Sequence, residues 1–118
     1  MNLNKREIGD NYELLAADYL RNNGVKILVK NYRNRFGEID LIGYDGETLV
    51  FFEVKYRNNL QSGYAEEAVD AKKQHIICRI SDFYRVQYGI SDFASIRYDV
   101  VAINHDRIRW IKNAFSYC

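Results

Sequence analysis

The chain has 118 residues, a formal net charge of +1, 47% hydrophobic and 28% charged residues. That length suits a single domain over 1–118 with one packed core and argues against a linker or second domain, while the near-neutral charge excludes a surface that is basic throughout. No apolar run approaches a membrane span, and the polar opening of the chain has no apolar stretch behind it, so a cytoplasmic protein without a membrane partner is expected. Ile8, Tyr12, Leu15, Ala16, Tyr19 and Leu20 then recur at helical spacing, and Gly24 follows as a stop. Glu13 falls beside that stripe, and periodicity leaves it equally able to point along the sheet or into water. Val25 to Arg33 alternates as a strand, and Asn31 to Phe36 reads as a polar, basic connection. Arg33 and Arg35 there suit phosphate contact and plain solvation equally well. Asn31 suits a turn.

From Gly37 to Arg57 two apolar, β-branched and aromatic runs flank Asp45-Gly46, a dipeptide that accepts the positive φ of a tight turn, so the segment reads as an antiparallel hairpin. With Asp45 and Gly46 central in the loop, Tyr44 faces Glu47 and Asp40 faces Phe51. Asp40 and Glu53 then become diagonal neighbours on one face, roughly 7–8 Å apart along the backbone, a gap that two carboxylates close around a divalent cation. Lys55 shares that face with Leu49, Phe51 and Glu53, while Val50, Phe52, Val54 and Tyr56 share the other. An acid and a lysine interrupting so apolar a strand conflict with its pattern, and such conflicts concentrate at functional sites.

Arg57 to Gly63 is a polar loop with the composition of a mobile flap. Tyr64 to Gln87 is helical, with Asp70 as an N-cap and Ile76, Ile77, Ile80, Phe83 and Tyr84 as the buried stripe; Gly89 ends it. Lys72 is placed on the sheet-facing side, where a cation serves a phosphate, whereas Lys73, His75 and Arg79 are read as a solvated face. Ile96 to Ile103 and Arg107 to Lys112 are two further strands. Asp99 is read as structural, because Arg97 shares its strand face. Cys78 and Cys118 suggest neither a disulfide framework nor a thiolate metal cluster, so reduced thiols are expected.

An acid on one strand followed by Glu-x-Lys on the next resembles the PD-(D/E)xK nuclease superfamily. Asn31-x-Arg33, Gly37-Glu38-Ile39-Asp40-Leu41-Ile42 and Phe52-Glu53-Val54-Lys55-x-Arg57 resemble its YraN-like branch. Gly9, Glu13, Ala16, Tyr19 and Leu20 match that family's first-helix pattern, with Tyr12 standing where the family has a second glycine. A family lysine aligns with Lys72, and Arg97 to Val101 and Asn113 to Phe115 match as well, so the resemblance runs from Gly9 to Phe115. It implies an α/β (α+β) restriction-endonuclease-like fold in the order αβββαββ, with a mixed central sheet flanked by helices. It also implies phosphodiester hydrolysis in nucleic acid, DNA foremost, at a Holliday-junction-resolvase-like or restriction-like site. Asp40, Glu53 and the Val54 carbonyl would hold Mg²⁺ or Mn²⁺, Glu13 would complete the acidic site, and Lys55 would act on the attacking water. Arg33, Arg35, Arg57 and Lys72 would contact the nucleic acid. The alternative is a nucleic-acid-binding or partner-binding module that keeps the fold without turnover, and homodimerisation is left open.

Overall fold

The computed structural model describes residues 5–57, 69–104 and 107–118, with side chains from residue 11 onward and not that of Arg57. In chain order the elements are α1 (Lys5–Asn22), β1 (Lys26–Asn34), β2 (Gly37–Asp45), β3 (Thr48–Arg57), α2 (Ala71–Gln87), β4 (Ile96–Asn104) and β5 (Arg107–Phe115). The expected helix, three strands, helix, two strands is what forms. The five strands make one sheet in the order β1-β2-β3-β4-β5; β3 and β4 run parallel and every other pair is antiparallel. A parallel pair needs a long crossover, and the segment carrying α2 supplies it.

The two helices cover opposite faces of the sheet. Ala16, Ala17 and Leu20 of α1 pack with Leu41, Val50, Phe52 and Val101; Ile77, Ile80 and Tyr84 of α2 pack with Ile39, Ile42, Phe51 and Tyr98. The small residues in α1 let the helix approach the sheet closely. Two expected core positions are corrected: Leu15 is 46% exposed and Phe83 45%, because the buried stripes run through Ala16, Ala17 and Leu20 in α1 and through Ile77, Ile80 and Tyr84 in α2. Asp70 does cap α2, its Oδ1 accepting the Lys73 N–H at 2.8 Å. The part of this helix expected over 64–68, and the flap over 58–63, lie outside the described residues.

The hairpin forms in a register displaced from the expected one. Asp45 pairs Thr48 around a two-residue turn of Gly46 and Glu47, with Gly46 at φ +62°, so Tyr44 faces Leu49 and Leu41 faces Phe52. Continued one step, that register sets Asp40 opposite Glu53, not Phe51. The displacement is two residues, and a shift by the strand period keeps every side chain on its face.

A second irregularity shapes the site. β1 runs on through Asn31 to Asn34, where a connection was expected, and Asn31 takes φ 58° inside it. The β1–β2 pairing runs through Lys30↔Leu41 and Tyr32↔Ile39, bracketing Asn31 and Asp40. Ile39 and Leu41 sit in opposite core clusters although they are two apart. Alternation therefore slips at Asp40, and its carboxylate leaves the regular face.

Candidate functional site

The slip frees Asp40 for an unusual partner. Its Oδ2 accepts the Val54 N–H at 2.8 Å, a side chain replacing a strand carbonyl where β2 and β3 part. Glu13 reaches the same place from α1. It lies three and four residues before Ala16 and Ala17 and seven before Leu20, so it occupies the first turn of the buried stripe and faces the sheet. One oxygen each of Glu13, Glu38 and Asp40 lie within 4.8 Å of one another. Glu38 was not anticipated; its signal was its place in strand β2, two residues before Asp40.

Glu53, only 5% exposed, stands beside this group on β3. Its Oε1 is 3.4 Å from Lys55 Nζ and 3.9 Å from Lys73 Nζ. Lys73 corrects the reading of it as a solvated charge: it lies four residues before Ile77 and seven before Ile80, again the first turn of a buried stripe. Lys72, expected to face the sheet, is exposed. Of the other expected nucleic-acid contacts, Arg33 lies near the end of β1, Arg35 in the turn to β2 and Arg57 at the end of β3. Arg33 Nε is 3.2 Å from Glu38 Oε2, at the rim of the acidic group, and the Arg35 guanidinium lies 5.0 Å over the Phe36 ring. The Arg57 side chain lies outside the described residues.

Crowded, partly buried carboxylates resist ionisation, because burial penalises their charge and each raises its neighbours' proton affinity. Burial first, then the charge of Asp40, pushes Glu13 up from 4.5 to about 7, while a hydrogen bond from Asn31 pulls it back. Glu53 is likewise pushed up to about 7 by burial and then Asp40, with Lys73 and Lys55 opposing. Asp40 is held above the usual carboxylate range by burial, against the Val54 N–H that favours its charged form. Asp99 differs. It is fully buried, receives two bonds from Arg97 Nε and one from Nη2 together with the Trp110 and Asn113 N–H groups, and so ties β4 to β5 as a structural carboxylate.

The donor set fits a hard divalent cation. Glu13 Oε2 is buried without a hydrogen-bond partner, and it sits among further carboxylate oxygens. An orphaned anionic oxygen in such a place costs stability unless a cation or proton satisfies it.

The profile of the uncharacterised protein family UPF0102 matches residues 12–103, a span that contains every residue of this site. A UPF0102 protein of Vibrio cholerae is 43% identical over 117 residues, covering 97% of this chain and 96% of its own length. One from Lachnoclostridium phytofermentans is 42% identical over 114 residues, covering 97% of each chain. Another, from Persephonella marina, is 42% identical over 101 residues and covers 86% of each.

Proposed function

Since this chain belongs to the uncharacterised protein family UPF0102, the YraN-like family that its motifs resemble, we propose that it is a metal-dependent nuclease hydrolysing phosphodiester bonds in nucleic acid, DNA foremost. The observation that carries this reading is the gathering of Glu13, Glu38 and Asp40 at the end of the sheet, beside a buried Glu53 bracketed by two lysines. Asp40, Glu53 and the Val54 carbonyl, joined by Glu13 and Glu38, are the groups that would hold Mg²⁺ or Mn²⁺. When bound, that ion supplies electrophilic polarisation of the phosphoryl oxygens and acidifies water.

The chain's own residues do the rest. The Val54 N–H fixes one Asp40 oxygen and leaves the other to turn toward the ligand. Lys55, a quarter exposed, orients the attacking water and offsets charge building on the phosphate. Glu53, whose carboxyl is pushed up to about 7 by burial and by Asp40, would have to give up its proton for the ion to bind, so loading of the site follows pH. Lys73, at the start of α2 against Glu53, and Arg33, against Glu38, hold phosphates on either side. No helix among the described residues is long and apolar enough to cross a membrane, and the working compartment in this proposal is the cytoplasm.

One observation favours the alternative of a binding module without turnover. Glu53 is paired to Lys55 and Lys73 and does not belong to the trio of mutually close carboxylates. A cleavage assay with Mg²⁺ or Mn²⁺ on duplex, single-stranded, flapped and four-way-junction DNA decides between the two, run beside Glu53→Gln. Nuclease action predicts cleavage of at least one substrate that the variant loses. Wild type and variant binding alike and cutting nothing would leave the module reading standing.

A further inference from the structure

After β5 the chain turns back across α2, and residues 117 and 118 are fastened there by side chains of α2. The Tyr117 hydroxyl accepts a bond from Arg79 Nη2 and donates to Asp82 Oδ2 at 3.0 Å. His75 Nδ1 lies 3.2 Å from the Cys118 carbonyl oxygen, and the Cys118 N–H donates to Cys78 Sγ at 3.3 Å. The outcome is a pair of sulfurs, 40 positions apart in sequence, separated by 3.7 Å. A disulfide needs about 2.05 Å, so the two sulfurs have only about 1.7 Å left to close. The two sulfurs are unlike in access: Cys78 is buried and Cys118 exposed. Both are free thiols, as expected, but they are neighbours.

We propose that Cys78 and Cys118 form a redox-active dithiol that closes reversibly to a disulfide by exchange with a low-molecular-weight disulfide, clamping the segment after β5 onto α2. The exposed Cys118 thiolate attacks one sulfur of the small disulfide RSSR; the S–S bond of RSSR breaks, a Cys118–SR bond forms, and RSH leaves after taking up a proton. The Cys78 thiolate then attacks the Cys118 sulfur, the protein disulfide forms, and a second RSH is expelled. The two cysteines lose two electrons and two protons, and RSSR gains both. Burial raises the Cys78 thiol, which agrees with Cys118 reacting first and Cys78 resolving the adduct. The pair stands on geometry that is independent of any nuclease activity.

The test incubates the folded full chain with excess glutathione disulfide at mildly alkaline pH, quenches in acid, and reads intact mass and a non-reducing gel. The wild type is expected to stay monomeric and to lose the mass of two hydrogens, with neither cysteine open to alkylation after denaturation. Cys78→Ala and Cys78→Ser are expected to stop at one glutathione on Cys118, and Cys118→Ser to remain unmodified. Dithiothreitol should return every species to its starting mass. The oxidised wild type should melt roughly 5–10 °C above the reduced form, since closing so long a loop constrains the unfolded chain. A stable glutathione adduct on wild-type Cys118, or a covalent dimer through it, would overturn the proposal, and both are visible in the wild type without recourse to any variant.

Discussion

Glu13 and Glu53 hold their protons more tightly in the folded chain than in the unfolded one, each moved by burial from 4.5 to about 7. Between those values the folded state binds more protons, so the stability contributed by the two groups is present below 4.5 and is lost as pH rises through 7. Asp45 has the opposite sign: its hydrogen bond to Arg97 holds it below the ordinary carboxylate value, so its contribution appears above that value and fades in acid. The metal-free protein should therefore melt highest near pH 5 and lower at pH 8. Mg²⁺ should restore the melting point at pH 8 far more than at pH 5, as it competes with protons for the same oxygens. Melts of a Glu13→Gln/Glu53→Gln variant, flat over that range and indifferent to Mg²⁺, check the assignment; a wild-type midpoint that rises from pH 5 to pH 8 without metal contradicts it. For catalysis, Lys55→Ala should lower the rate of cleavage by about 10²–10³-fold, the loss typical of removing one preorganised charge-stabilising group. Single-turnover rates with and without the lysine measure it.

At the scale of elements, the site depends on a local break in strand alternation. Asn31 takes a positive φ that asparagine tolerates and a β-branched residue does not, and its side-chain amide favours the charged form of Glu13. Asn31→Val should cost about 1–3 kcal/mol in urea denaturation through backbone strain. Asn31→Gly should keep the backbone and lose only the amide's pull on Glu13, so that it folds with near-normal stability while Glu13 titrates higher; equal destabilisation by the two substitutions would show that φ is not what Asn31 supplies. Close approach of strands has a glycine of its own: a Cβ at Gly43 would sit 2.5 Å from the Lys26 carbonyl oxygen, so β1 and β2 meet there only without a side chain. In α2 the Asp70 cap holds the first turn, from which Lys73 reaches Glu53. Asp70→Ala should remove about 0.5–2 kcal/mol of stability. By loosening the first turn it should also weaken the pairing of Lys73 with Glu53, read as a further rise of the Glu53 titration in carboxyl carbon NMR.

For the molecule as a whole, a net charge of +1 means that nucleic acid is held only where cations are concentrated. Arg33 meets Glu38, Lys73 meets Glu53 and Lys72 stands next to Lys73, whereas Arg107, Arg109 and Lys112 lie on β5 at the sheet edge, with Lys112 drawn to Asp45. Removing one cation that neutralises a phosphate should flatten the slope of log K against log salt by roughly 0.9 on duplex DNA, and non-specific binding should fall near 10⁻⁴–10⁻⁶ M at physiological salt. Neutralising the first three together should flatten that slope; neutralising the β5 three should leave it unchanged. Fluorescence anisotropy over a salt series, in EDTA to separate binding from cutting, distinguishes them. An equal effect of the two triple substitutions would mean that nucleic acid does not approach across the hairpin.

The order of elements, the hairpin, the Asp70 cap and the common strand face of Glu53 and Lys55 were all legible in the chain itself, because each depends on periodicity or turn chemistry within a few residues. A hairpin register misjudged by two kept that face intact for the same reason, the strand period being two. Tertiary structure decided what no single element specifies. Neighbouring residues on a helix differ by about 100° in direction, so whether Lys72 or Lys73 meets Glu53, and whether Leu15 or Ala16 meets the sheet, is set by how the helix rotates against its partner. The slip at Asn31 and Asp40 arises between two strands, and it sets Asp40 and its strand neighbour Glu38 beside Glu13 of α1. Cys78 and Cys118 meet for the same physical reason: their approach across 40 residues exists only once β5 has docked beside β4 and the following residues have crossed back over α2.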